Sequence, residues 1–369
     1  MDLFATGFNA WHQLSLNRQS SNEEEEPHDL YRFTKVLSAA SIKRPVSRLT
    51  YTIGIAHIAI LPIAVLSKSK QTLRSRFILT KTLFLAVHRD GGLIVAGLVP
   101  PETAETEAEF LYMSAEAASG ELLAIVHDKD GDDNDANTNK LVKYSSLASQ
   151  RAGAEPESIF DCRPRATQVA AFNTGFVILH SDGSVSTFGD SRFEACLGRD
   201  TDPLDRPSNK PGPVPDLNDI ASADDPIKLV TAGGTAVAAL TSNSCSVYVW
   251  GCSPPSTASR ASASASSGNS QTHRRGHAFQ ELSGVPNYTE VDGGKDVVDV
   301  ALGEAHTIAL TTDGLIYVCG ENRNGQLGLG REVGRAEAWT NVPFLVADGH
   351  KIVGVAAGPR ASFILTAKA

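Results

Sequence analysis

The sequence is poor in methionine, tryptophan and cysteine, and so in the residues that build disulfide frameworks. Methionine occurs twice, tryptophan three times and cysteine five times in 369 residues. The cysteines Cys162, Cys196, Cys245, Cys252 and Cys319 are odd in number and include no Cys-x-x-Cys pair. No zinc pattern and no disulfide framework follow from that spacing. Sparse, unpaired cysteine points to a reducing compartment, the nucleus or the cytoplasm. Long hydrophobic runs are also missing. The most apolar stretch, residues 53–66, contains His57 and Pro62 and falls short of the ~20 residues that span a bilayer. The start, Met1-Asp2-Leu3-Phe4, has no basic region ahead of an apolar one, so neither a secretory signal nor a membrane span is expected. Basic residues number 33 against 42 acidic ones, a net charge of −9. That balance argues against direct nucleic-acid binding, which needs clustered cations for the phosphates.

What the sequence does have is glycine, 31 in all, set at the ends of short alternating apolar runs. The best-defined stretch is Val297 to Gly330, VVDVALGEAHTIALTTDGLIYVCGENRNGQLGLG. Val298, Val300 and Leu302 alternate, as do Ile308 and Leu310, then Ile316 and Val318. Period two predicts strands with one buried face. Asp313-Gly314 between two such runs predicts a tight hairpin with both central residues at positive φ. So small a sheet cannot hide its own faces and is expected to stack on copies of itself.

Such copies recur along the chain. Residues 3–14, LFATGFNAWHQL, align with Ile316–Leu327, placing Gly7 on Gly320, Asn9 on Asn322 and Leu14 on Leu327. The end, residues 351–369, aligns with the first two strands of the same unit. The beginning therefore supplies the third strand of a sheet whose first two strands come from the end, with residues 3–7 pairing with residues 352–366. This predicts one ring-shaped domain over 1–369 in which no sheet edge is left open between first and last repeats. Further units start at Gly54-x-x-His57, at the Asp90-Gly91 hairpin, at Gln168–Gly198 with its Asp182-Gly183 turn, and at Ile227–Gly251. Gly54, Gly175, Gly233, Gly303 and Gly358 are taken as equivalent. Residues 100–160 read as one degenerate blade, and 253–275 as a Ser/Ala-rich loop with nothing to bury, hence disordered. Counting the 54 and 90 units separately gives seven blades; six is the alternative.

The stretch GEAHTIALTTDGLIYVCGENRNGQLGLG resembles the repeat of the regulator of chromosome condensation family. Residues 303–330 match it almost throughout, with Cys319 in place of the usual Trp. Leu3–Leu14, Gln168–Gly198, Ile227–Gly251 and Ile352–Ala367 match more loosely. The resemblance implies an all-β, seven-bladed β-propeller closed by its own terminal strands. It also implies a non-catalytic protein-interaction scaffold or regulator, with guanine-nucleotide exchange on a small GTPase as the alternative, since the founding member is an exchange factor that binds chromatin. Other members are scaffolds, ubiquitin-ligase parts or inhibitors. Phe4–Asn9 and the divergent first half are most similar to fungal alpha-tubulin suppressor proteins and to single-domain proteins named for this repeat. The implied partner is a protein: a small GTPase, or one associated with chromatin or microtubules. A monomer without cofactor, metal or membrane contact is expected. No exchange-factor catalytic residue, wedge or basic tail maps onto this chain.

Taken singly, some residues invite a chemical reading. His57 and His306 recur at one repeat position, which favours a structural hydrogen bond to a neighbouring blade over a general base. Gly325–Gly330 lacks the Gly-Lys-Ser/Thr of a phosphate loop, so its glycines, Gly325 and Gly328 among them, read as turn positions. Gly7, Gly183, Gly189, Gly251, Gly314 and Gly320 are assigned to the repeat in the same way. Asp128–Asn139 resembles a calcium loop but has Asp133 where glycine and Asn139 where glutamate are required. Ser262, after Arg260, is a candidate phosphorylation site. Trp11, where the best unit has Asn324, and Arg323 are candidate partner-binding residues.

Overall fold

The alternating runs become strands, and the described strands assemble into six antiparallel sheets. They are seen in a computed structural model that describes residues 1–10, 14, 28–47, 52–59, 80–87, 93–95, 113–126, 138–252, 279 and 282–369. β1 (Asp2–Gly7) and β2 (Leu30–Ser38) begin sheet I. β3 (Ser41–Ile42) and β4 (Val46–Ser47) both pair with β5 (Thr52–Ala59), which continues through β6 (Thr80–Val87) to β7 (Leu93–Val95) as sheet II. The edge of sheet II breaks at Lys43-Arg44-Pro45, where Pro45 has no N–H to donate. Sheet III holds β8 (Ser114–Glu116), β9 (Leu122–Val126), β10 (Asn139–Tyr144) and β11 (Ser158–Cys162). Sheet IV holds β12 (Ala166–Phe172), β13 (Gly175–His180), β14 (Val185–Gly189) and β15 (Gly212–Pro213). Sheet V holds β16 (Ile227–Gly233), β17 (Ala236–Thr241), β18 (Val247–Gly251) and β19 (Asn287–Thr289). Sheet VI holds β20 (Val297–Leu302), β21 (His306–Thr311), β22 (Ile316–Glu321) and β23 (Arg335–Asn341).

The last strands, β24 (His350–Gly358) and β25 (Ala361–Lys368), return to the first. β25 pairs with β1 in the register Phe4↔Ile364, giving sheet I the order β2-β1-β25-β24. The two ends of the chain thus share one sheet. Innermost strands pack in sequence, β8 on β12, β12 on β16, β16 on β20, β20 on β24 and β24 on β4.

Three sequence expectations are corrected. The Gly54 and Asp90-Gly91 units are not separate: β5 and β6 pair directly, Gly54↔Leu85, and belong to one sheet. Alternation reveals a strand but not its partner, and merging these units leaves six sheets among the described residues. Gly54 and His57 lie within β5, with His57 opposite Ser41, and not in an inner turn. Burial is also two-sided. Every residue of β13, β17 and β21 is buried. Ile308 and Leu310 pack toward sheet I, while Ala309 packs with Ala238 and Val300 on the opposite face. A second strand is covered on both faces because its sheet stands between two others.

The core therefore lies between sheets. Phe172, Leu197, Val237 and Trp250 join sheets IV and V. Burying a leucine such as Leu197 contributes about 1.5–3 kcal/mol, and the Trp250 Nε1–H stays satisfied by donating to the Cys196 carbonyl at 3.2 Å. The Asp-Gly hairpins also differ from expectation. Gly314 (φ 79°) and Gly183 (φ 84°) have positive φ, whereas Asp313 and Asp182 do not. Thr311 N donates to Leu315 O and Gly314 N to Thr311 O, a three-residue loop ending in a left-handed glycine. No helix among the described residues is long and apolar enough to cross a membrane.

Candidate functional site

The innermost strands β24, β4, β8, β12, β16 and β20 all face one central cavity of about 840 Å³. Their turns close the cavity at one rim. Ser119 N donates to Asn173 O (3.3 Å), Asn173 N to Gly234 O (2.8 Å) and Glu304 N to Pro359 O (3.0 Å), each bond joining neighbouring sheets. Glycine recurs at these turns for close approach. A Cβ on Gly233 would lie 2.2 Å from Gly303 O, one on Gly303 2.6 Å from Gly358 O, and one on Gly358 2.4 Å from Ser47 Oγ.

A bulge recurs near the start of the innermost strands, between Ala166 and Gln168, Ile227 and Leu229, Val297 and Asp299, and Ile352 and Gly354. At two of these bulges the residue that follows reaches across to the next sheet. Gln168 Nε2 donates to Val230 O at 2.8 Å, and its Oε1 accepts from Val230 N at 3.2 Å. The equivalent Asp299 accepts from Val355 N at 2.9 Å. Its other oxygen meets Arg44 Nη1 at 2.9 Å, and Arg44 Nη2 donates to Val300 O at 2.9 Å. Arg44 is thereby carried from the broken edge of sheet II, past sheet I, onto sheet VI. At the rim, Arg360 Nε lies 3.2 Å from Glu304 Oε2. These arginines are held by carboxylates. Among the described residues no cluster of His, Cys, Asp and Glu is arranged to hold a metal. The cavity wall also carries Glu116, Gln168 and Lys228.

His306 shows what the repeat histidine does in this fold. It is fully buried. Ser362 Oγ donates to Gln326 O at 2.6 Å, so its lone pair faces His306 Nε2 at 3.0 Å and the imidazole proton sits on Nε2. Nδ1 has no hydrogen-bond partner. Burial brings the imidazole pKa down to about 4, and the neutral ring ties sheet VI to sheet I. The ring also covers Gly303, whose Cβ would lie 2.0 Å from His306 Cε1.

Sheet IV inverts this pair. The register Phe172↔Gly175 places Phe172 where Gly303 stands and Gly175 where His306 stands. Gly175 is therefore not the counterpart of Gly303, Gly233 and Gly358. A Cβ on Gly175 would lie 2.6 Å from Phe172 Cζ, so one large and one small residue fill the same space from opposite sides. At the end of the third strand the glycines act alike. A Cβ would meet Arg360 O at 2.3 Å from Gly7, Thr174 O at 2.5 Å from Gly189, Thr235 O at 2.1 Å from Gly251 and Ala305 O at 2.3 Å from Gly320. Gly325 and Gly328 have φ of 84° and 70° and sit against Leu30 and Phe33 of β2.

Of the candidate partner-binding residues, Arg323 is half exposed and paired with Glu321 at 3.1 Å, and its carbonyl accepts from Tyr31 Oη at 3.1 Å. Trp11, Ser262, Glu23–Glu26, residues 128–137 of the acidic loop and the 253–275 stretch lie outside the described residues. Leu204 stands out only in the structure. It is 91% exposed at the tip of a turn clamped by Asp202, whose Oδ1 accepts from Leu204 N (2.9 Å) and Asp205 N (3.0 Å). Asp202 and Arg206 also exchange both backbone bonds, 2.9 and 3.0 Å. Those backbone donors, Asp205 first, hold the Asp202 carboxyl below its usual range. The signal available in the sequence was Asp202-Pro203-Leu204-Asp205, a turn presenting a lone large apolar residue.

Stacked four-stranded sheets around a cavity, closed by strands from both ends of the chain, define a β-propeller. The last part of the chain is similar to the RCC1 repeat. The model for the Regulator of chromosome condensation (RCC1) repeat matches residues 297–326, and a second model of the same repeat matches 313–365. Over 101 residues, 27% of the chain, it is 35% identical to the RCC2 homologue of Xenopus laevis, and it covers 19% of that protein. Over 96 residues it is 38% identical to the E3 ubiquitin-protein ligase HERC2 of Mus musculus, covering 26% of the chain and 2% of HERC2. The match thus spans less than a fifth of these relatives. Among solved structures, Prp20p of Saccharomyces cerevisiae, described with its binding to Gsp1p and histones, superposes with a TM-score of 0.57 at 13% identity, over 100% of this chain and 92% of Prp20p. Human WBSCR16 superposes with a TM-score of 0.52 at 15% identity, over 100% and 99%. At these identities the two share the fold with this chain.

Proposed function

We propose that this protein is a non-catalytic interaction platform of the RCC1-repeat type that binds a protein partner through a loop-bearing face of the ring. The observation that carries this reading is Leu204, an apolar side chain 91% exposed on a turn rigidified by four hydrogen bonds. A pre-ordered apolar anchor loses little conformational entropy on docking. The cavity supports the same reading, because Arg44 and Arg360 are held by Asp299 and Glu304. The test is affinity capture with the full chain and with Leu204→Asp. Loss of a stoichiometric partner from the variant, with unchanged circular dichroism, is the expected result; an unchanged set of captured proteins sinks the reading.

Guanine-nucleotide exchange is the second reading, favoured by the superposition on Prp20p, which is described with its binding to Gsp1p. It predicts that catalytic amounts of the protein accelerate release of labelled GDP from a small GTPase. No acceleration across a representative panel removes it. Either reading places the protein in the nucleus or cytoplasm, which imaging of the tagged chain checks directly.

A further inference from the structure

Cys196 and Cys252 come from different sheets, and their sulfurs lie 3.2 Å apart. Cys196 sits on the short helix Glu194–Leu197 in the outer loop of sheet IV. Cys252 directly follows β18 of sheet V. The spacing of 56 residues gave no hint of the encounter. It arises because both positions are fixed by the fold. The Trp250 indole donates to the Cys196 carbonyl at 3.2 Å. Cys252 N donates to Thr235 O at 3.0 Å, and Thr235 Oγ1 donates to Cys252 O at 2.7 Å. Thr235 O also receives the Cys196 thiol at 3.3 Å. The two thiols are thus anchored to one inner turn and aimed at each other, well within the movement needed to reach the ~2.0 Å of a sulfur–sulfur bond.

We propose that Cys196 and Cys252 form a peroxide-sensitive dithiol that closes reversibly to a disulfide linking sheets IV and V. Cys196 is buried and Cys252 partly exposed, which assigns their order of action. Cys252, as its thiolate, attacks a peroxide oxygen. The O–O bond breaks, Cys252 becomes a sulfenic acid and hydroxide leaves. Cys196 sulfur then attacks Cys252 sulfur, the S–O bond breaks, and the Cys196 proton leaves with the departing hydroxide as water. Two thiols lose two electrons and two protons, and one hydrogen peroxide becomes two waters. Burial holds the Cys196 thiol well above its ordinary pKa, so Cys196 is the resolving and not the attacking group. Cys162 and Cys319 are buried, and burial pushes their thiols up to about 11 and about 12.

The experiment treats the full chain with graded hydrogen peroxide, blocks free thiols under denaturing conditions and maps peptides without reduction. The expected product is a Cys196–Cys252 linked peptide that forms at lower peroxide than methionine sulfoxide and is returned to two thiols by dithiothreitol. In Cys196→Ser, Cys252 sulfenic acid accumulates and is trapped by a dione probe, whereas the wild-type protein shows no trapped sulfenate. The proposal is overturned by recovery of both thiols at peroxide that oxidises methionine. Irreversible oxidation of Cys252 beside an intact Cys196, or linkage through Cys245, overturns it equally.

Discussion

Asp299 and Arg44, 255 positions apart in the chain, meet at 2.9 Å and bind sheet VI to sheet II across the closing strand β24. The same carboxylate accepts from Val355 N at 2.9 Å on β24. One side chain therefore holds three sheets at the point where the ring closes. Removing it takes one of two acceptors from the Arg44 guanidinium and leaves the N–H of buried Val355 without its acceptor. Asp299→Ala is expected to cost about 2–3 kcal/mol. Asp299→Asn, which retains an acceptor for Val355 N, is expected to cost about half as much. Urea unfolding of the two variants checks the order.

His306 makes stability depend on pH with a definite sign. Its folded-state pKa is depressed from 6.5 to about 4 by burial, so the unfolded chain takes up a proton first as pH falls. The contribution is present above pH 6.5 and is lost between pH 6.5 and pH 4, and it amounts to about 3 kcal/mol in all. His306→Gln removes this titration. Urea midpoints measured from about pH 7.5 to 4 are expected to converge for wild type and variant as pH falls.

The Gly303–His306 and Phe172–Gly175 pairs predict a coupling. Gly303→Ala drives a methyl into the His306 ring, where the Cβ would lie 2.0 Å from Cε1, and is expected to cost about 2–3 kcal/mol. With His306→Gly in the same chain that clash disappears, as it does in sheet IV. The double variant is expected to be about 1–2 kcal/mol more stable than the sum of the single changes implies. Additivity in a double-mutant cycle contradicts the swap.

The two hairpin glycines separate backbone conformation from contact. Gly314 (φ 79°) has open space where a Cβ would stand, whereas a Cβ on Gly183 (φ 84°) would lie 2.6 Å from Pro226 Cβ. Gly314→Ala is expected to cost about 1 kcal/mol, the penalty of the left-handed region alone. Gly183→Ala adds a collision and is expected to cost about 2 kcal/mol or more. Equal midpoints in thermal denaturation count against the contact.

Much of the architecture was readable because the repeat is periodic. Gly7 on Gly320, Asn9 on Asn322 and Leu14 on Leu327 aligned correctly. In both copies the asparagine Oδ1 accepts from the leucine N–H, at 2.9 Å in the first and 2.8 Å in the last. That local hydrogen bond shapes the outer loop and needs only the residues between its ends. Gly54 and Gly175 misled because a glycine near a strand start carries no label of register. Asp299 had a visible trace, a lone carboxylate in the apolar run Val297–Leu302, but its two partners lie on other sheets. Leu204 left a weaker trace, since one exposed apolar residue in a turn is common.

By itself the sequence determined the strands, the glycine-bearing turns and the sharing of one sheet by both ends, because these rest on alternation and turn chemistry acting over a few residues. Tertiary structure alone decided which runs share a sheet, why β13, β17 and β21 are buried on both faces, and which distant residues meet. Arg44 with Asp299, and Cys196 with Cys252, are such meetings. Their positions follow from how whole sheets stack around the cavity, and the free energy of that stacking is spread over interfaces that no local pattern encodes.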